Sequence, residues 1–226
     1  MAFAGFGAQT LPFFKALAFH QNKEWYDANR DTYEGEIKGP LGDLVEALAA
    51  RFAAQKIPLR GDRKASLFRL HRDVRFARDK SPYKTHAGAV MTREGTKSDP
   101  GLLYIHIAPE GCFFAAGVYH AEPQQLANLR HAIVRAPAVW TGMLKKLARA
   151  KLTLSQDEIL TRAPKGFERV ADPALMGAIR LKSFIVTRPI TAQRLAKPEL
   201  CDDGVSFAKD ALPLLEWAWS AIVDSR

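Results

Sequence analysis

Apolar residues in the first quarter of the chain recur every three or four positions, which is the spacing of one helix face. This pattern predicts a first helix after Thr10 and a second from Asn22 to Ile37. A third helix is predicted from an apolar stripe after Gly39 and Pro40: Leu41, Leu44, Val45, Leu48 and Phe52. We interpret these apolar and aromatic residues as core in a helical N-terminal part, residues 9–56.

After Pro58 the pattern changes to short segments of aromatic and β-branched residues, which is typical of strands. Four such segments are bounded by Gly, Pro or Asp: Ser66–Arg72, His86–Thr92, Leu102–Ala108 and Cys112–Tyr119. The connections between the later segments are short, and short connections favour antiparallel pairing. Phe184–Thr187 is the candidate for a fifth strand.

Helical spacing returns in the second half of the chain. It predicts helices at Glu122–Ala136, Ala138–Lys151 and Glu199–Val223, with a kink or break in the last helix at Pro213. Helices, then a meander of strands, then helices form the α+β pattern. The sequence therefore predicts an antiparallel sheet of four to five strands (about 66–119, with 184–187 as the fifth) packed with N-terminal and C-terminal helices.

The chain is predicted to form a single domain over residues 1–226, because no low-complexity linker or repeat divides it. In this interpretation the sheet covers residues 65–120 and the helical C-terminal part covers residues 122–223. A hydrophobic content of 47% and a charged content of 25% are those of an average globular protein, so the composition favours a folded core over disorder.

Charge is concentrated in one region. The formal net charge is +9, and residues 63–97 alone hold 10 basic and 3 acidic side chains. Within them, residues 63–86 hold eight cations against Asp73 and Asp79. Crowding of like charge costs free energy unless a counter-ion neutralises it. The segment therefore needs an anion, either within the fold or from a ligand.

The sequence lacks the residue patterns that are typical of metal-binding, disulfide-rich and membrane proteins. Cys112 and Cys201 have no CxxC spacing, and the six histidines show no HxH, HxxxH or HExxH spacing, so we predict no metal and no cofactor. The chain has no run of about 18 apolar residues and no cationic leader before its first apolar residues. We therefore expect a cytoplasmic protein without a membrane partner.

The basic segment begins with His71, Arg72 and Asp73, the residues that open a protein-kinase catalytic loop. A kinase loop has an asparagine five residues after the aspartate to hold a metal ion, whereas this chain has Arg78 there. No glycine-rich phosphate loop precedes the segment and no Asp-Phe-Gly follows it. The sequence therefore excludes a protein kinase.

We interpret residues 69–86 as a preorganised basic loop that binds a small phosphorylated or carboxylated ligand. Guanidinium groups interleaved with Phe76 and Tyr83 provide the fork geometry and stacking surfaces that anion recognition uses. The expected anion-binding residues are Arg69, Arg72, Arg75, Lys80, Tyr83 and Lys84. The expected supporting residues are Asp73, Asp79, Tyr104 and His106.

Strand alternation predicts which side chains form the surface beside the loop. Tyr104 and His106 share one face of their strand, and the apolar residues between and after them share the other. If the strands are neighbours, Arg69 and His71 join them in a polar wall beside the loop. A histidine in such a wall is a hydrogen-bonded structural residue or a general acid or base. Arginines that position phosphate support catalysis without a nucleophile, so the sequence leaves open whether the protein is an enzyme.

Two alternative interpretations remain. In the first, the chain is a nucleic-acid-binding module in which the loop and a second basic stretch follow a phosphate backbone. That stretch consists of Lys145, Lys146, Arg149, Lys151, Arg162, Lys165 and Arg169. In the second, the loop is a structural clamp whose arginines pair with Asp73, Asp79 and the carboxylates of the first helices, and function lies in partner contacts.

The segment SLFRLHRDVRFARDKSPYKTHAG resembles the hallmark of domain of unknown function 2461, a bacterial and fungal family of conserved hypothetical proteins. Other stretches also resemble the family: LPFFKALAFHQNKEWYDANRDTYEGEIKGPLGDLVEAL, LYIHIAPEGCFFAAGVYHAEPQQLANLRHAI, RAPKGFERVADP and LKSFIVTRPI. The resemblance covers the chain from about Leu11 to Trp217. It implies a single α+β domain and a cytoplasmic protein, and it implies no reaction.

Individual positions match the signature of that family. They are Asn22, Glu24, Trp25, Tyr33, Pro40, Arg69, Arg72, Asp73, Arg75, Phe76, Asp79, Lys80, Ser81, Pro82, Tyr83 and Lys84. His71 departs from the pattern, which has an aromatic residue such as tyrosine at this position, and the departure weakens any role for the His71 imidazole.

Overall fold

The elements of the chain follow the predicted order of helices, strands and helices. The computed structural model describes residues 2–223, so the predicted domain limits at residues 1 and 226 lie outside the described residues. The helices are α1 (Thr10–Phe19), α2 (Lys23–Ala28), α3 (Arg30–Thr32), α4 (Gly39–Ala54), α5 (Pro123–Arg135), α6 (Pro137–Arg149), α7 (Pro173–Ile179), α8 (Ala192–Leu195) and α9 (Leu200–Val223). The strands are β1 (Ala87–Thr92), β2 (Leu102–Ile107), β3 (Cys112–Val118) and β4 (Phe184–Ile190). The predicted α+β fold is confirmed.

The four strands form one antiparallel sheet in the order β1-β2-β3-β4. Strand β4 confirms the candidate strand at Phe184–Thr187 and extends it to Ile190. Alternation is clearest in β2, where Leu103, Ile105 and Ile107 are fully buried and the residues between them are half-buried. One face of β2 therefore belongs to the core, and the other carries Tyr104 and His106.

The predicted strand at Ser66–Arg72 is wrong, because this segment forms isolated bridges instead of a continuous ladder. Leu67 bridges Ala89, and His71 bridges Tyr83. Between the two bridges the chain advances by four residues on one side and by six on the other, so extra residues interrupt the ladder. The segment still pairs with the outer edge of β1, since Val90 N donates to Ser66 O at 3.1 Å.

The predicted second helix, Asn22–Ile37, is helical over most of its length but changes type. The Asn22 side chain caps α2 by accepting a hydrogen bond from Trp25 N at 2.8 Å. The chain departs from helical geometry at Asn29, resumes in α3 and widens into a π-helical segment at Tyr33–Lys38, which continues into α4.

The hydrophobic pattern does not predict α7 and α8, because so few turns show no periodicity. Local capping explains both helices. The Asp172 carboxylate accepts from two backbone N–H groups of α7, and the Thr191 hydroxyl accepts from one of α8. Helix α9 continues through Pro213 without the predicted break, because buried residues such as Leu214 and Leu215 hold the flanking turns.

The chain divides into two compact units. The first contains the residues up to Lys97 together with Leu103–Phe114 and Pro189–Ser206. Its core includes the fully buried side chains of Phe14, Leu48 and other residues of the N-terminal helices. The prediction of a single domain stays a prediction.

The second unit contains Ser98–Leu102, Ala115–Arg188 and the residues from Phe207 onward. Its core contains an aromatic cluster in which Trp140 lies 4.7 Å from Trp217 and 6.0 Å from Phe184, measured between ring centroids. Arg130 is buried beside this core and donates to two backbone carbonyls. Within residues 2–223, no helix combines the length and the apolar character needed to cross a bilayer.

Candidate functional site

The basic segment forms a loop that is closed at its base by the bridge between His71 and Tyr83. Arg72 N donates to Pro82 O at 2.8 Å, and Lys84 N donates to Leu70 O at 2.9 Å. The chain enters and leaves the loop on these paired segments, so the residues between 72 and 82 project from one anchored base. The loop is therefore ordered without being a helix or a strand.

The two aspartates of the loop form ion pairs with arginines of the same loop. Asp73 accepts from Arg75 Nε at 3.0 Å and from Arg75 Nη2 at 2.7 Å. Asp79 pairs with Arg72 and also accepts from the backbone N–H of Ser81 at 2.9 Å. The hydrogen bonds with Arg75 lower the pKa of Asp73, and those with Ser81 and Arg72 lower the pKa of Asp79.

The other basic side chains of the loop differ in their partners. Lys80 Nζ donates to the carbonyl oxygens of Val74 at 3.0 Å and Arg75 at 3.4 Å, so it ties the loop to itself. Arg78 is exposed and forms no hydrogen bond or ion pair with residues 2–223. Phe76 at the loop tip is 96% exposed, with the Arg75 guanidinium carbon 6.0 Å from its ring centroid.

Tyr83 belongs to an aromatic cluster beneath the loop. Its ring is buried and stacks on Tyr26 with a centroid distance of 5.0 Å. The ring of His71 lies 5.0 Å from Tyr83 and 5.7 Å from Tyr26, so His71 turns toward this cluster and not toward β2. Burial is the main cause that raises the pKa of Tyr83. The cluster anchors the loop to the N-terminal helices.

Three cations lie near the base of the loop, and two of them contact the ring of Phe68. Lys84 Nζ is 5.3 Å and Lys97 Nζ is 5.1 Å from the Phe68 ring centroid, which are cation–π distances. Burial lowers the pKa of Lys84, and the nearby charges of Arg69 and Lys97 lower it further. We call Arg69, Lys84 and Lys97 the cationic cluster. None of the three forms an ion pair with a carboxylate of residues 2–223.

The half-buried face of β2 continues from Phe68 into a row of aromatic rings. The Tyr104 ring packs edge-on against Phe68 with a centroid distance of 6.1 Å. The Tyr104 hydroxyl lies 3.0 Å from His106 Nδ1. His106 stacks on Phe113 of β3 at 4.6 Å and lies 4.8 Å from His86, which immediately precedes β1. Three adjacent segments of the sheet therefore present one continuous surface.

The two histidines of this surface are held in the neutral form. Burial is the main cause that lowers the pKa of His106 to about 4, and His86 adds to it. Burial and the charge of Lys84 lower the pKa of His86. The carboxylate of Glu110 opposes the shift at both rings. A neutral imidazole has one donor nitrogen and one acceptor nitrogen, so each ring offers both kinds of group.

The structure brings together some of the predicted site residues and separates others. Arg69 and Lys84 lie at the cationic cluster, and Tyr104 and His106 adjoin it through Phe68. Three further predicted residues bond within the loop: Arg72, Arg75 and Lys80. Tyr83 lies in the core.

Sequence reasoning missed four residues of this surface: Phe68, His86, Lys97 and Phe113. Strand alternation could have identified His86, because His86 lies two residues after Lys84 in an extended segment and therefore shares a face with Lys84. No pattern in the sequence indicates that Lys97 belongs to this surface. Its ammonium reaches the cluster by donating to Leu67 O at 2.6 Å, a contact across 30 residues of sequence.

The chemistry of the surface is that of hydrogen bonding and charge. Among residues 2–223, no three His, Cys, Asp or Glu side chains converge as metal ligands do. Cys112 and Cys201 are free and buried, and burial raises the pKa of both thiols. The site offers ammonium, guanidinium, phenol and imidazole groups, which suit an anionic ligand.

Comparison with known proteins gives one match. The model of a family described as "Conserved hypothetical protein (DUF2461)" matches residues 9–217. No curated protein and no solved structure matches the chain.

Proposed function

We propose that this chain, which belongs to the DUF2461 family of conserved hypothetical proteins, binds a small phosphorylated or carboxylated ligand at the cationic cluster. The supporting observation is that Lys84 and Lys97 share the Phe68 ring, that the charge of Arg69 acts on Lys84, and that none of the three forms an ion pair with a carboxylate of residues 2–223. These like charges repel each other, and an anion that binds beside them offsets that cost. The ligand is therefore recognised by charge first.

The residues around the cluster fit this role. Lys84 is on the segment that leads into β1, so its ammonium is carried on a rigid element. The Arg69 guanidinium supplies two parallel donors for a phosphate or carboxylate edge. Tyr104 and His106 complete one side with a phenol and an imidazole. In this proposal Arg72, Arg75 and Lys80 hold the loop and do not bind the ligand.

Calorimetric titration with inorganic phosphate and with inorganic sulfate at low ionic strength tests the proposal. We expect saturable binding that weakens about tenfold in Lys84→Met, because one charge-assisted hydrogen bond is lost. Lys145→Met is the matched control, since Lys145 is an exposed lysine of α6 and its removal changes the net charge equally. Equal loss in both variants, or no binding by the parent protein, contradicts the proposal.

Nucleic-acid binding is the second candidate, and the exposed loop tip favours it. Phe76 is 96% exposed beside Arg75, an arrangement in which a base stacks on the ring while a phosphate meets a guanidinium. Titration of a fluorescent single-stranded oligonucleotide at several salt concentrations tests this function. We expect affinity to fall with rising salt and to fall further in Phe76→Ser. Affinity that is independent of salt excludes it.

We also propose that the protein works in the cytoplasm. Both cysteines are free, which is the usual state of thiols in a reducing compartment. Localisation of a tagged full-length chain by fractionation tests this, and recovery in an oxidising compartment contradicts it.

A further inference from the structure

The imidazoles of His86 and His106 lie beside the cationic cluster with unused ring nitrogens. No residue within 2–223 hydrogen-bonds to either ring nitrogen of His86 or to Nε2 of His106. No described side-chain nitrogen is both buried and unpartnered, so these atoms reach solvent. They are therefore available to a ligand that also contacts Lys84.

The charged groups around His86 come from three elements. Lys84 is on its own segment, His106 and Tyr104 are on β2, and Glu110 is in the turn between β2 and β3. Positive charge dominates, since Arg69 and Lys97 lie beyond Lys84. A proton on His86 adds one more cation to this group, so the ring stays neutral while the site is free.

We propose that the site selects a tetrahedral dianion, such as the terminal phosphate of a phosphate monoester, and that His86 takes up a proton when this ligand binds. The inference rests on the proposed function. The charges of Arg69, Lys84, Lys97 and Glu110 sum to +2, so a dianion cancels the positive field at His86, and the protonated ring then donates from both nitrogens. The ligand and the proton therefore strengthen each other's binding.

The proposal separates phosphate monoesters from carboxylates. A carboxylate brings one negative charge, which leaves the group of Arg69, Lys84, Lys97 and Glu110 with a net charge of +1, so it provides little reason for His86 to take up a proton. A dianion with oxygens in tetrahedral directions meets Arg69, Lys84 and His86 at once. The specificity of the site then lies in His86, and the cluster supplies attraction common to all anions.

His106 is a positioning residue in this arrangement. Its Nδ1 is hydrogen-bonded to the Tyr104 hydroxyl and its ring is stacked on Phe113, so the orientation of the ring is fixed. It lies 4.8 Å from His86 between ring centroids and limits the positions that the His86 ring can adopt.

Calorimetric titration with sulfate tests the proposal, because sulfate remains a dianion across the pH range in which histidine titrates and cannot itself supply or accept the proton. Titrations at about pH 6 in two buffers of different ionisation enthalpy give the number of protons taken up. We expect uptake of a fraction of a proton at about pH 6 and about tenfold tighter binding there than at about pH 8. His86→Gln is expected to lose both effects, so that it takes up no proton and binds sulfate with the same affinity at about pH 6 as at about pH 8.

His131→Gln is the matched control, because His131 is an exposed histidine of α5 whose ring contacts Phe167. It is expected to behave as the parent protein does. The His86 imidazole resonance of the parent gives a second measurement that needs no variant: its midpoint is expected to rise when sulfate is added.

The outcomes are distinguishable. Sulfate binding with equal affinity at the two pH values and without proton uptake overturns this inference and leaves the cationic cluster as an anion site. Acetate that binds as tightly as sulfate with the same uptake overturns the selectivity for dianions. Absence of sulfate binding at every pH overturns the proposed function as well.

Discussion

The ring of Tyr104 packs directly on the backbone of Gly88. A Cβ atom at residue 88 would lie 2.5 Å from the Tyr104 hydroxyl oxygen, closer than real contacts allow. Because that hydroxyl also contacts His106 Nδ1, the absence of a side chain at Gly88 sets the position of the whole aromatic row. A single glycine on β1 thus positions groups on β2.

Gly88→Ala is expected to push the Tyr104 ring away and to break its hydrogen bond with His106. We expect a loss of about 1–3 kcal/mol in the free energy of unfolding, as for other overpacked sites, and weaker sulfate binding. Urea unfolding and calorimetry measure the two effects. Gly142→Ala in α6 is the control: a Cβ added there would have nothing within 4 Å, so a gain of about 0.5–1 kcal/mol is expected. An alanine at residue 88 without effect would show that the ring is free to move.

Lys84→Met is expected to stabilise the free protein slightly while it weakens anion binding. Removing one of three unpaired cations relieves repulsion, and the methionine still packs against Phe68. The expected gain is on the order of 0.5 kcal/mol at low salt and vanishes at high salt. Thermal unfolding at two ionic strengths checks this. A marked loss of stability at low salt would mean that Lys84 has a structural partner.

Acidification from about pH 7 to about pH 5 is expected to destabilise the protein partly through His106. Its pKa is lowered to about 4 in the folded chain, whereas the unfolded chain titrates near 6.5. Below pH 6.5 the unfolded state therefore binds more protons, and stability falls as the pH approaches 4. The contribution is on the order of 1 kcal/mol, since the half-buried ring is partly screened by water.

Urea unfolding of the parent and of His106→Gln at these two pH values measures this contribution. We expect the glutamine variant to lose less stability over this interval than the parent, whatever its stability at neutral pH. Equal losses in the two proteins would assign the acid sensitivity to other groups.

Arg75→Gln is expected to melt at the same temperature as the parent, because the pair between Arg75 and Asp73 is exposed and local. Arg130→Gln is the matched comparison. Arg130 is only 9% exposed and donates to Ile179 O at 2.7 Å and to Leu181 O at 3.2 Å, so its loss leaves two buried carbonyls without donors. We expect a cost of about 2–3 kcal/mol there. Unfolding caused by Arg75→Gln would support the structural-clamp interpretation of the loop.

Gly117→Ala is expected to prevent stable folding. Gly117 has a φ of +132°, and a Cβ at this position would lie 1.9 Å from the carbonyl oxygen of Phe184 on β4. Backbone strain and a clash with another backbone add to more than about 3 kcal/mol. Circular dichroism and the soluble yield of the variant measure the effect, and Gly177→Ala, with nothing within 4 Å, is the control. A soluble variant with the parent's melting temperature would contradict the close approach of β3 and β4.

The sequence predicted the elements whose signals are local and periodic. The alternation of Leu103, Ile105 and Ile107 identified β2 and its two faces, and the stripe from Leu41 to Phe52 identified α4. The prediction of a strand at Ser66–Arg72 was wrong although the composition is that of a strand. The extra residues lie in the opposite segment, between Tyr83 and Ala89, and this mismatch depends on pairing that composition does not reveal.

The site could be predicted only in part, since charge along the chain does not show which cations share a counter-ion. The density of arginine and lysine identified the region. Arg72 pairs with an aspartate of the loop and Lys84 does not, and this difference depends on the three-dimensional structure. Lys97 joins the cluster from a turn that no local pattern of residues places beside Phe68.

The loop between residues 72 and 82 carries its own counter-ions, as Arg72 pairs with Asp79 and Arg75 with Asp73. Neither pair involves a helix residue, and Arg78 and Lys80 leave the loop with a net charge of +2. Changes in the carboxylates of the helices therefore leave both pairs intact, whereas loss of either aspartate would free an arginine at the surface of the loop.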